Sequence, residues 1–182
     1  MKVKETKLKG CFILEPKVFK DKRGYFFESF NQNSFDELVS KTAAFVQDNE
    51  SYSIKGVLRG LHFQTGKHAQ AKLVRVVQGT VLDIAVDLRK NSDTFGEHVS
   101  IELSNQNKKQ LFIPRGFAHG FVVISDTAVF SYKCDNYYNK ESEAGILYND
   151  SKLNIDWKFN DNELIVSEKD MQLPSFQDAK LW

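Results

Sequence analysis

A repeated two-residue alternation is the feature that most limits what this chain can become. Leu82, Ile84, Val86 and Leu88 alternate with Asp83, Ala85 and Asp87; Val99, Ile101 and Leu103 repeat the pattern, and Leu111 and Ile113 follow it. That period sends successive side chains to opposite faces of a strand and does not suit the 3.6-residue repeat of a helix. Phe121 to Ile124 and Ala128 to Cys134 add two more runs. Gln78-Gly79, between Leu73 to Val77 and Val81 to Leu88, reads as a tight turn, and Ser125-Asp126-Thr127 as another. Strands at this spacing imply an antiparallel sandwich or barrel rather than βαβ units. In the last run Ala128, Phe130, Tyr132 and Cys134 share the more apolar face, which points Tyr132 inward.

The remaining chain is less regular. Residues 8–30 read as short strands broken at Asp21-Lys22-Arg23-Gly24, a turn by composition. The best helix signal starts at Ser34, with Glu37 three residues on as a capping box and Phe35, Leu38 and Val39 on one face. Residues 43–52 are interrupted by polar groups and read as loop, with Gln47 and Asn49 as loop or site residues. Beyond Tyr137 the chain is polar and irregular, with weak helical or loop character, to Leu181-Trp182. No repeat or linker divides the 182 residues, so one domain over residues 1–182 is expected.

Charge and cysteine usage narrow the partners. With 25 Lys+Arg against 24 Asp+Glu the net charge is +1 and no basic block stands out, so no nucleic-acid partner is expected, and an anionic ligand would be met by a few placed cations. No segment approaches the ~20 apolar residues that cross a bilayer. The start Met-Lys-Val-Lys-Glu-Thr-Lys lacks the apolar run of a leader, and Cys11 and Cys134 lack zinc-type spacing. The expectation is a cytoplasmic protein without a membrane partner. Aromatics at 13%, 15 of them Phe, imply a thick β core or aromatic-lined sites.

Against this background Gly56-Val57-Leu58-Arg59-Gly60-Leu61-His62-Phe63-Gln64, with Lys72 after it, sets polar groups among residues that belong inside a sheet. Such groups are costly to bury and suggest a lined cavity, although an edge strand with solvated Arg and Lys and a hydrogen-bonded His also fits. Ile113-Pro114-Arg115-Gly116-Phe117-Ala118-His119-Gly120-Phe121 brings a second His between aromatics. Arg59 and His62 have opposite parity on a regular strand, so both reach one cavity only through a bulge or kink at Gly60. His can accept a proton near neutrality, Lys can hold an oxygen that turns negative, and an inward Tyr can serve the opposite side of a bound molecule. His62, His119, Lys72, Tyr132 and a late Asp together would suit deprotonation of carbon beside a carbonyl and reprotonation on the other face, which is epimerisation. Core polar groups or a plain binding pocket use the same residues, and the residues alone leave these readings open.

The stretches at 56–64 and 113–121, with Gln70-Ala71-Lys72-Leu73-Val74-Arg75-Val76, Asp83-Ile84-Ala85-Val86-Asp87-Leu88-Arg89, Asn154-Ile155-Asp156-Trp157 and Ser167-Glu168-Lys169-Asp170, resemble the dTDP-4-dehydrorhamnose 3,5-epimerase family from about Gly10 to Asp170. The resemblance implies an all-β cupin-type jelly roll with short peripheral helices, usually a homodimer. It also implies inversion of C3 and C5 of dTDP-4-dehydro-6-deoxy-D-glucose on the way to dTDP-L-rhamnose, without metal or redox cofactor. Carried over by motif, His62 is the base paired with Asp170, Tyr132 the opposed proton donor and Lys72 the group steadying the enolate. Arg59 and His119 would contact the diphosphate and sugar. Arg23, Glu28, Gln47 and Asn49 would bind the nucleotide, some of them across the dimer, with Glu143 and Lys169 as further substrate contacts.

Many metal-binding cupins carry His-x-His and Glu, then Pro-x-Gly-x-x-His. Pro114, Gly116 and His119 fit the second half, but Gln64 and Ala69 stand where the first half needs His and Glu, which leaves two imidazoles, too few for a usual site. No metal is therefore expected, and His68 and His98 read as surface residues. Competing readings are an epimerase acting at C3 or C5 alone on a related sugar nucleotide and a non-catalytic jelly-roll binder.

Overall fold

The computed structural model describes residues 1–181; Trp182, where the irregular tail ends, lies outside them. Two antiparallel sheets face each other. The first takes β1 (Lys2–Glu5), β2 (Phe12–Glu15), β10 (Gln110–Ile113), β7 (Lys72–Gln78), β12 (Thr127–Cys134) and β5 (Gln47–Ile54) in that spatial order. The second takes β13 (Glu143–Gly145), β6 (Val57–Gln64), β11 (Phe117–Val123), β8 (Thr80–Asp87) and β9 (His98–Ser104), with the short β14 (Ile165–Val166) added parallel to β6. A separate hairpin of β3 (Phe19–Asp21) and β4 (Gly24–Phe26) turns at Lys22-Arg23, as the composition suggested.

Three apolar layers result. Val74, Val76 and Phe130 from the first sheet meet Val81, Ala85, Phe117 and Phe121 from the second. The outer face of the second sheet, Leu58, Ile84 and Val86, lies under Tyr148, Leu153 and Trp157 of the C-terminal segment. Helix α1 (Gln32–Leu38) sets Phe35 on the outer face of the first sheet against Leu14, Leu73 and Phe112.

Several expectations change for physical reasons. The alternation in β8 leaves no solvated face: the first sheet covers the side that carries Val81, Asp83 and Ala85, the C-terminal segment covers Leu82, Ile84 and Val86, and Asp83 and Asp87 have no exposed surface. The turn at Gln78-Gly79 forms, with Gly79 at φ +81°, but β7 and β8 do not pair: the link carries the chain from one sheet to the other. The expected loop at 43–52 is mostly β5, an edge strand paired with β12, whose polar alternation follows from one face meeting the cavity while the other meets solvent. Helix α1 is capped by Asn31, whose side chain accepts from the Ser34 N–H at 3.2 Å, so Ser34 lies inside the helix and Leu38 is exposed. The tail contributes β13, β14 and the short helix α2 (Glu168–Met171).

The irregularity expected at Gly60 is present. Pairing of β6 with β11 runs Leu58 to Val122 and Arg59 to Phe121, then resumes at His62 to His119, an extra residue on β6. Leu58, Leu61 and Phe63 thereby pack outward, while Arg59, His62 and Gln64 line the hollow between the sheets. Gly60 has φ +135°, and a Cβ there would stand 2.5 Å from Gly120 Cα and 2.9 Å from the His119 carbonyl oxygen. Only glycine fits that position.

Candidate active site

The hollow opens as a cavity of about 490 Å³ reached by Arg59, His62, Lys72, His119, Tyr132 and Asp170. A second lobe of about 250 Å³, bordered by Gln47, Asn49, Gln64, Tyr138 and Glu143, shares His62, Lys72 and Tyr132 with the first. These three side chains therefore stand at the waist of one two-lobed cleft, with His62 on β6 of one sheet and Lys72 and Tyr132 on β7 and β12 of the other.

His62 Nε2 lies 2.7 Å from Asp170 Oδ1. Asp170, buried at the start of α2, also accepts from the Gly60 N–H at 3.2 Å, and its own N–H donates to Ser167 Oγ. Burial works to raise its pKa, but the bonds to His62, Gly60 and Ser167 prevail and hold the carboxyl below the usual carboxylate range. With the carboxylate on Nε2, the ring leaves Nδ1 to meet a ligand. Burial raises the Tyr132 phenol and lowers the Lys72 ammonium, whose Nζ is 5.9 Å from the Tyr132 ring centroid. His119 is buried, stacks on Phe130 at 5.9 Å between centroids and puts Nε2 2.8 Å from Asp83 Oδ1. Arg59 is steadied by Nε donating to Ser53 Oγ at 3.2 Å.

Of the other expected residues, Gln47 and Asn49 lie together on β5, with Gln47 Nε2 donating to Asn49 Oδ1 at 3.0 Å and Gln47 Oε1 accepting from the Tyr138 N–H at 3.0 Å. Glu143 takes a 2.7 Å ion pair from Lys169 and a 2.9 Å bond from the Tyr138 hydroxyl, tying together groups that border the two lobes. Arg23 and Glu28 are not brought to the cleft of their own chain: exposed Arg23 forks onto Asp21, and Glu28 accepts from Asn31. His68 and His98 are partly buried rather than free surface groups. Sequence reading passed over Asp83, Ser53 and Tyr138. An Asp at the centre of an apolar strand was a usable signal for the first, whereas nothing local marked the others.

Both imidazoles that a cupin scheme would offer to a metal spend Nε2 on a carboxylate, and among the described residues no three His, Cys, Asp or Glu side chains converge as ligands.

Two facing sheets with an imidazole–carboxylate pair and a phenol set across the hollow between them define a cupin-like jelly-roll isomerase. Over residues 5–178 the sequence matches the family described as dTDP-4-dehydrorhamnose 3,5-epimerase. The chain belongs to that family. It is 53% identical over 179 residues to the dTDP-4-dehydrorhamnose 3,5-epimerase of Shigella flexneri, covering 98% of each chain. The crystal structure of the same-named enzyme from Elizabethkingia anophelis superimposes with a TM-score of 0.95 at 59% identity, over 100% of this chain and 99% of that one. A Legionella pneumophila dTDP-6-deoxy-D-glucose-3,5-epimerase, solved with dTDP-4-keto-L-rhamnose, gives 0.93 at 47% identity, covering 97% and 93%.

Proposed function

We propose that this chain inverts C3 and C5 of dTDP-4-dehydro-6-deoxy-D-glucose, giving dTDP-4-dehydro-L-rhamnose for dTDP-L-rhamnose synthesis, and that His62 and Tyr132 are its proton acceptor and donor. The observation that carries this reading is that the two groups stand on opposite sheets around one cleft, both reaching the same space. The 4-keto group acidifies the hydrogens at C3 and C5. His62 Nδ1 removes one of them; the electron pair moves toward the keto oxygen, where Lys72 meets the developing charge. Asp170 holds the ring and stabilises the imidazolium. Tyr132, kept a phenol by burial, returns a proton from the other side, which inverts the centre. His62 then gives its proton up to solvent and Tyr132 regains one from solvent, and with both groups restored the same steps act at the second carbon.

Arg59 and His119 would hold the diphosphate and sugar, a planar guanidinium suiting phosphate oxygens. Gln47, Asn49, Glu143 and Lys169 stand where the nucleotide end would pass. Arg23 and Glu28 would serve a partner's cleft in a homodimer, a reading supported by Phe19, Tyr25 and Phe26, which expose 53%, 57% and 69% of their surface on the hairpin. A cytoplasmic location suits the two buried free thiols, Cys11 and Cys134, and no described helix is long and apolar enough to cross a membrane.

The test is incubation with the keto sugar nucleotide in D₂O. Deuterium entering both C3 and C5 is the expected result. Tight binding with no exchange at either carbon would replace the epimerase with a binder.

A further inference from the structure

Asp83 enters none of the roles above, yet the fold gives it a costly position. It lies on β8 with no exposed surface, on the face that carries Val81 and Ala85, so its side chain enters the core between the sheets. Oδ1 accepts from His119 at 2.8 Å, whereas Oδ2 is buried without a hydrogen-bond partner. A carboxylate held this way is expensive unless a charge offsets it. Lys72 enters the same core from the opposite sheet, on the face of β7 that carries Val74 and Val76. The two charges act on each other: each stabilises the ionised form of the other against a larger opposing effect of burial.

We propose that Asp83 is the buried counter-charge that keeps Lys72 an ammonium ion, which makes it a positioning residue of the reaction that never touches the sugar. The proposal rests on the enolate-steadying role given to Lys72 above. An ammonium can meet a developing oxyanion only while it keeps its proton, and its surroundings work against that. The titratable and charged groups facing this space are Glu50 on β5, Arg59 and His62 on β6, His119 on β11, Tyr132 and Cys134 on β12, Glu143 on β13 and Lys169 and Asp170 on α2, with Cys11 also feeling Asp83. Burial keeps Tyr132 a phenol and pushes the thiols of Cys134 and Cys11 up to about 11 and about 12, so none of these supplies negative charge at neutral pH. Asp170 is committed to His62, and Glu143 to Lys169 at 2.7 Å. Glu50 is exposed, so among the described residues facing this space Asp83 is the buried anion left to Lys72. The same carboxylate also orients His119, whose Nε2 it meets at 2.8 Å.

Asp83→Asn keeps an oxygen for the His119 N–H and removes only the charge, so it separates the two duties. In the full-length protein with ¹³C-labelled lysine, the Lys72 ε-carbon titration should move to lower pH by about one unit or more, a tenfold change in proton affinity. The alkaline limb of kcat should move with it by the same amount. A Lys72 titration at its wild-type position in the variant would overturn the proposal. A titration that moves while the rate profile does not would uphold the counter-charge and remove Lys72 from the chemistry. Should the variant not fold, the carboxyl ¹³C shift of Asp83 in the wild-type protein decides: ionised at pH 7 upholds the proposal, and protonated overturns it.

Discussion

His62 and Asp170 come from segments 108 positions apart in sequence, yet the carboxylate reaches the ring at 2.7 Å, and the same carboxylate ties the Gly60 amide to α2. Asp170→Asn keeps the size of the side chain but gives up the charge that steadies the imidazolium. The expected result is a loss of kcat on the order of 10²–10⁴-fold, the usual worth of acid–base assistance, with KM changed little; a loss confined to KM would reassign Asp170 to binding. Asp87 plays a different part. Burial pushes its pKa up, but the Arg89 guanidinium, the Ser92 and Thr94 hydroxyls and the Arg89 N–H prevail and bring it from 3.8 down to about 2. A folded pKa below the unfolded one stabilises the fold above pH ~4, and that stability is lost as pH falls through about 2. Asp87→Asn should therefore flatten the dependence of unfolding free energy on pH between about 4 and 2, a span worth on the order of 2 kcal/mol. Urea titrations at several pH values would show it, and an unchanged slope would contradict the assignment.

At the scale of elements, the extra residue in β6 is what brings Arg59 and His62 to one cleft, and Gly60 makes it sterically feasible. Gly60→Ala should cost about 2–3 kcal/mol through the clash with Gly120 and also depress kcat in the folded fraction by displacing His62. Gly79→Ala is the control: its Cβ would fall 2.1 Å from the Thr127 carbonyl oxygen at the link between the sheets, so it should lower Tm comparably while sparing kcat. Equal kcat for both variants would mean that the register shift does not place the base. In α1, Asn31→Ala should cost about 1 kcal/mol and Ser34→Ala much less, because the cap is the earlier residue. These positions also divide what sequence could reveal. Parity alone exposed the conflict between Arg59 and His62, and alternation placed β8, β9 and β12. It could not reveal that β8 would be covered on both faces, because the cover of its outer face comes from residues near 148–157, which carry no strand period. Nor could it separate Asn31 from Ser34 as the cap, since both residue types accept from the first turn. Residues 47–52 looked like loop, as part of the stretch 43–52, because an edge strand lining a polar cleft loses the apolar half of the pattern.

For the whole molecule, two sheets closing on each other leave a cleft with the His62 imidazole and the Tyr132 phenol on opposite walls, and the resemblance of the motifs offered roles for them that spacing alone left open. The homodimer proposed above would complete the nucleotide end of the cleft through the β3–β4 hairpin. Phe26→Glu with Phe19→Glu should halve the mass seen in sedimentation and raise KM more than it lowers kcat; a dimer with unchanged KM would free the hairpin from that duty. The division of His62 and Tyr132 between opposite walls is the claim on which the rest stands, and isotope exchange in the two single variants tests it most directly. With the keto sugar nucleotide in deuterated water, Tyr132→Phe should still wash hydrogen out of C3 or C5 while forming no inverted product, and His62→Ala should do neither. If Tyr132→Phe inverted the sugar at the wild-type rate, or His62→Ala still exchanged, the two groups would not be the opposed acid and base.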